Sequence, residues 1–323
     1  MKIIAFVSSS FIKYSTKIPS ILRMSTATST NANLLSQHLN RLKSSPHQSL
    51  LLDGGTGEEL FLNGVPDDRK IWSATAIVHE KHHSTVEKVH RSFVDAGSQA
   101  ITTNSYGIIP GVGFTDGEEV KKLMGIAGQI ARRAVTDESG TASVLVLGSL
   151  GPLVESYRAD LIMNHEDGVR CYQYGIEGLN PYVDVYLAET MSCTEEACQV
   201  IDALHAFYSK ADNNFGTNLH EKQQQPLLVS FTLGSDGKLR SGESVVDAIP
   251  KMVCFALDRE VQREYSCFEK GLFLSTLCII ALVVFHLFSS MIQHHSYRGV
   301  VQLLRTRGYN QSTQRNLLQT RNI

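Results

Sequence analysis

The chain lacks acidic residues over two long stretches. Residues 1–52 carry Lys2, Lys13, Lys17, Arg23, Arg41 and Lys43 with no aspartate or glutamate, and residues 293–323 carry Arg298, Arg305, Arg307, Arg315 and Arg321, again with no acid. Under a total charge of −2, those two basic ends leave −13 on residues 53–292. A body that acidic offers no electrostatic footprint for nucleic acid. Cysteine is scarce, six in 323 residues and never two in succession. That excludes a small disulfide-stapled scaffold and reads as reduced thiols in a chain of enzyme size. There is no Gly-x-Gly-x-x-Gly fingerprint and no phosphate loop, so neither NAD nor ATP is implied. Long uniformly apolar runs are also absent, except for residues 271–292.

What is present is a repeated unit. Leu50-Leu51-Leu52 is apolar on both faces, as in a buried parallel strand, and ends in Asp53-Gly54-Gly55 before a helix-like start. Glycines there bring bare backbone N–H groups close to a ligand, so a carboxylate could rest on them while Asp53 holds an ammonium. The plainer alternative is a strand–turn–helix corner with a capping aspartate. Further strands are expected at 99–103, 144–148, 183–188 and 227–232, each ending in a polar or glycine cluster. Helices are expected at 84–97, 118–135, 192–209 and 244–257, the first opened by a Ser84/Glu87 capping box, the third by Ser192/Glu195 and the last by Ser244 with Asp247. Pro250 should kink the last of these. Five β/α units at roughly 40-residue spacing predict a TIM-type (β/α) barrel, incomplete at about five of eight units, with its sites at the strand C-termini.

The strings DGGTGEEL, WSA (Trp72-Ser73-Ala74), AGSQAITTNSYG, GSLGP followed by ESYRAD, AETMS, and SFTLGSDGKLRSG run in order from 50 to 257. Together they resemble the homocysteine S-methyltransferase family, which includes the betaine- and S-methylmethionine-dependent enzymes and the homocysteine domain of methionine synthase. The resemblance implies a homocysteine-like amino acid as ligand. Asp53 and Glu189 would hold its amino group and the Gly54 and Gly55 amides its carboxylate. Asn104, Ser105 and Tyr106 would form the rim after strand two, and residues 148–151 the rim after strand three. The family activates the homocysteine thiol on zinc held by three cysteines, one in an Asn-Cys context and two in Gly-Gly-Cys-Cys. This chain has no Asn-Cys, no Gly-Gly-Cys and no Cys-Cys. The expectation is therefore a homocysteine S-methyltransferase-like protein that binds no zinc, has no catalytic or metal residues of its own and performs no thiol methylation; the methyl donor stays open. The alternatives are a membrane-anchored, non-catalytic amino-acid-binding or interaction protein, or a splicing or gene-model product whose true C-terminus carries the cysteines.

The domain plan follows from composition. Residues 1–48, basic and Ser/Thr-rich, read as an organelle transit peptide, with a secretory signal or a disordered extension as alternatives. Residues 49–258 are the partial barrel and 259–270 a charged linker. Residues 271–292, with no formal charge, are long enough to cross a bilayer core of about 30 Å. They predict a transmembrane helix, a single-pass membrane location and a basic tail, 293–323, on the cytosol-like side.

Overall fold

The computed structural model describes residues 4–5, 34–35, 37–38, 40–41, 44, 49–114, 116–137, 142, 144–213, 224–269 and 279–284. In chain order the elements are β1 (Ile4–Ala5), α1 (Thr56–Leu62), a 3₁₀ turn (Trp72–Ala74), α2 (Thr75–Val78), a second 3₁₀ turn (Glu80–His82), α3 (His83–Asp95), β2 (Ala100–Thr102), β3 (Ile109–Pro110), β4 (Gly113–Phe114), α4 (Gly117–Val135), β5 (Leu145–Leu150), α5 (His165–Leu179), β6 (Val185–Met191), α6 (Thr194–Asn213), β7 (Leu227–Phe231), α7 (Val245–Glu269) and β8 (Ile279–Val284).

The main sheet runs β1-β8-β7-β6-β5-β2. From β2 to β8 the strands are parallel, and strands consecutive in the chain lie side by side, joined by helical crossovers. That is the winding of a (β/α) barrel. Leu52 bridges Ala100 in parallel on the outer side of β2, so the Leu50–Leu52 run takes the first position although it forms only an isolated bridge. At the opposite edge β1 pairs antiparallel with β8.

Strand alternation sorts the core into two layers. Ile101, Val146, Leu150, Tyr186, Ala188, Val229 and Phe231 pack among the helices. Ala100, Leu145, Leu147, Val185, Leu187 and Leu228 face the other way and form an inner cluster with Leu50, Leu52 and Leu35. The floor beneath that cluster is tied to the N-terminal segment: Arg41 Nη2 donates to Gln99 Oε1 (3.0 Å), which also accepts from Leu51 N (3.2 Å).

The helices form where their periodicity places them. In α4 the Asp116 side chain accepts from Glu118 N, and Val120, Leu123, Ala127, Ile130 and Ala134 are buried along one face. Asn164 caps α5 in the same way. Ser244 and Asp247 form the expected reciprocal pair before α7, with Ser244 Oγ donating to Asp247 Oδ2 (2.6 Å) and Asp247 N donating to Ser244 Oγ (3.2 Å). The Ser84/Glu87 box does not form. α3 starts at His83 without a side-chain cap, because Glu87 is drawn to Arg91 and Arg133. At α6 the reach-back comes one residue later than expected, from Glu196 to Ser192 N (2.6 Å).

The C-terminal expectations need correction. No helix among the described residues is long and apolar enough to cross a membrane. Within 271–292 the described part is β8, and residues 279–282 pair in parallel with residues 227–230 of β7. A strand inside a parallel sheet is uniformly apolar for the same reason a membrane span is, since both faces leave water. The single-pass location, the membrane as partner and the transmembrane helix in the fold class are therefore withdrawn. The sheet continues into a sixth parallel position, and α7 continues past Pro250 to Glu269, through the stretch read as a charged linker. Residues 1–3, 6–33, 271–278 and 285–323, which include most of the proposed leader and the whole basic tail, lie outside the described residues.

Helix α4 packs against α5 through glycine. A Cβ on Gly178 would stand 2.3 Å from Lys121 O and 2.8 Å from Met124 Cβ. Gly178→Ala is expected to cost about 1–3 kcal/mol by forcing the helices apart, read as a lowered urea midpoint with the slope unchanged.

Candidate functional site

The inner face changes character near the strand C-termini. Its lower layers are Ala100, Leu145, Leu147, Val185, Leu187 and Leu228. One step further along the same alternation stand Thr102, Ser149, Glu189 and Ser230, all at most 7% exposed. A buried polar layer must satisfy its own hydrogen bonds, and these residues do so pairwise. Thr102 grips both oxygens of Asp53, its N donating to Oδ2 (2.7 Å) and its Oγ1 to Oδ1 (2.9 Å). Ser149 Oγ donates to Glu189 Oε1 (2.5 Å). Ser230 Oγ accepts from Thr190 N (3.4 Å).

Glu189 is aimed by a backbone irregularity. The β6–β7 register shifts between Ala188 and Met191, and Thr190 sits at φ 67°. A β-branched residue there is strained, and bulges beside sites commonly re-aim a side chain. The alternation of the inner face marks this place in the sequence; the bulge itself leaves no sequence signal.

The other expected residues are held in different ways. Gly54 is half-buried because Phe93 lies against it, 2.8 Å from where a Cβ would stand. Gly55 precedes α1 at the N-cap position. Asn104 is a staple rather than an open rim group: its Nδ2 donates to Ser73 O (2.9 Å) and its Oδ1 accepts from Ser73 Oγ (2.7 Å). This pins the Trp72–Ala74 turn, where Trp72 has φ 48°. Ser105 is buried, bonding Thr103 Oγ1 (2.8 Å) and donating to Ser149 O (2.9 Å). Tyr106 faces Trp72, ring to ring at 5.7 Å, and its hydroxyl meets Ser156 Oγ at 2.6 Å. Burial pushes its phenol up to about 12, so it stays protonated. Gly151, at the rim after β5, packs against the Tyr106 ring, and its carbonyl accepts from Tyr172 (3.1 Å).

Behind this rim lies Glu196, which the sequence reading passed over. It is 4% exposed. Burial raises its carboxyl to about 7, against the opposing hydrogen bond from Ser192 N. Beside it the loop after β7 docks on the start of α6, where Glu243 accepts from Thr194 N, Thr194 Oγ1, Ser241 Oγ and Lys251 Nζ. Burial works to raise Glu243, but these donors outweigh it and hold the carboxyl at about 2. His90 is fully buried in α3, with both ring nitrogens lacking a hydrogen-bond partner, and burial holds it down to about 4.

The thiols do not suit the zinc that the family implies. Cys193 and Cys198 are buried, Cys171 half-buried and Cys254 exposed, at the start of or along α5, α6 and α7 rather than on the inner strand ends. Burial raises Cys171, Cys193 and Cys198, the last to about 12. That is opposite to the thiolate a metal needs. Among the described residues no group of three His, Cys, Asp or Glu side chains converges as a metal site. His79, His82 and His83 are included in that statement; His83 Nε2 bonds Ile77 O at 2.8 Å.

A parallel (β/α) sheet with helical crossovers and a polar layer at its strand C-termini defines a barrel-type domain. The family is narrower still. Residues 50–258 match the homocysteine S-methyltransferase family model, and the chain belongs to that family. Homocysteine S-methyltransferases 3 and 2 of Zea mays are each 39% identical over 57 residues, which is 18% of this chain and 16% of either relative. Among solved structures, the metallated form of the homocysteine methyltransferase MmuM from Escherichia coli is similar in fold, with a TM-score of 0.55 at 22% identity over 77% of this chain and 87% of that one. The oxidised form of MmuM gives 0.53 at 25% identity over 64% and 70%.

Glu196 makes stability depend on pH. Its folded value of about 7 lies above the ordinary 4.5, so its contribution is fully present below about 4.5 and is lost as pH rises through 7. Glu196→Gln should remove a decline on the order of 3 kcal/mol across that window. The check is melting temperature against pH for both proteins. His90 acts with the opposite sign, losing stability as pH falls from 6.5 through about 4, so the difference between the two proteins isolates Glu196.

Proposed function

We propose that this chain binds a homocysteine-like amino acid at the C-terminal end of its sheet, and that it does so without transferring a methyl group to the thiol. The observation that carries this is the pair of buried carboxylates, each held by a hydroxyl from a neighbouring strand: Asp53 by Thr102 and Glu189 by Ser149. Two oriented carboxylates suit an α-ammonium group. The Gly54–Gly55 turn would receive the α-carboxylate on its amides. Tyr106 forms the wall after β2, braced by Asn104 and Ser105 behind it, and the Trp72–Tyr106 ring pair gives the side chain an apolar surface.

Methyl transfer needs more than grip. A free thiol near pKa 8.5 is mostly protonated at neutral pH. No described cysteine stands on the inner strand ends to help hold a metal against it. The reading is therefore a binding domain of methyltransferase ancestry.

Calorimetry with L-homocysteine under reducing conditions tests the grip. Asp53→Asn and Glu189→Gln should each weaken binding by about 10- to 100-fold, the cost of one charge-assisted contact; no binding by the wild type would sink the reading. Metal analysis of the purified chain should find less than one zinc per chain, and incubation with homocysteine and S-methylmethionine or betaine should yield no methionine. Stoichiometric zinc together with methionine formation would overturn the non-catalytic half.

A further inference from the structure

We infer that Ser149 is a positioning residue for the ligand's ammonium, because it fixes the carboxylate of Glu189 from the adjacent strand. The inference rests on the amino-acid-binding reading and deepens it. Ser149 follows Leu145 and Leu147 on the inner face of β5, where the next position by alternation would ordinarily be another aliphatic side chain. It is 0% exposed. A serine there contributes little apolar packing, so its hydroxyl needs a reason.

That reason is geometric. The Ser149 backbone is held from the loop after β2: its N donates to Thr103 Oγ1 (2.9 Å) and its O accepts from Ser105 Oγ (2.9 Å). Thr103 and Ser105 bond each other (2.8 Å). With the main chain fixed on both sides, the Oγ points to Glu189 Oε1 at 2.5 Å. On the far side of Glu189 the chain is distorted, with Thr190 at φ 67° and its N on Ser230 Oγ. The bulge turns Glu189 and the serine stops it. Ser105, expected from the sequence to face ligand, is here a strut two contacts away from the carboxylate.

The test is a double-mutant cycle with L-homocysteine as probe. Ser149→Ala should weaken binding by about tenfold, as expected for a lost hydrogen bond to a charged group. The acid side of its binding profile should move to higher pH, because a lost donor disfavours the charged carboxylate. In the Glu189→Gln background the same change should cost less than about twofold, since coupled residues are not additive. A wild type that binds while Ser149→Ala binds equally well overturns the inference and leaves the binding reading standing. An equal loss in both backgrounds also overturns it, by showing that the hydroxyl serves the fold in general. A wild type that takes up no homocysteine overturns the binding reading itself. Should Ser149→Ala fail to fold, Ser149→Cys keeps the size with a weaker donor and carries the same comparison; failure of both to fold counts against a positioning role.

Discussion

A carboxylate removed from water must be met by donors, and this requirement organises the C-terminal end of the sheet. Asp53 and Glu189 are 2% and 7% exposed. Each is answered by a hydroxyl that reaches it only because neighbouring strands hold their register: Ala100 to Thr102 against Leu145 to Leu147, and Leu147 to Leu150 against Val185 to Ala188. A one-residue slip would turn Thr102 and Ser149 to the helix side and take these hydroxyls away from both carboxylates. The aliphatic layers beneath are what prevent the slip, since the same slip would drive Leu147, Leu187 and Leu228 out of the inner cluster.

Much of this arrangement is legible in the sequence. The strand starts and the parallel order follow from the apolar runs, while β5 and β6 extend past the expected ends to Leu150 and Met191 and so take in Ser149 and Glu189. What was not legible has physical causes. Ile279–Val284 looks like bilayer because a strand flanked by strands and a membrane span obey the same rule of excluding polar side chains. Ser149 falls in the 148–151 string expected as rim, whose glycines advertise a turn, while the serine is the last residue but one of β5. Glu196 was overshadowed by Glu195, because a capping pattern fixes a helix start only to within a residue.

The described thiols lie apart from the inner strand ends. A fold with this winding accepts a metal when cysteines end up on the strand rim. Here the described cysteines are distributed over helices, where a thiol behaves as a small apolar group and burial raises its pKa. The family membership rests on residues 50–258.

Leu35 occupies the inner cluster at 6% exposure, far from the rim, and Arg41 is tied to Gln99 at the start of β2. This segment lies inside the basic stretch that resembles an import sequence. A maturation protease that cut beyond Leu35 would remove a side chain that belongs to the inner cluster. Trimming past that point would withdraw a leucine from beneath Leu145 and Leu187 and open the underside of the sheet to chaperones or to other unfolded chains.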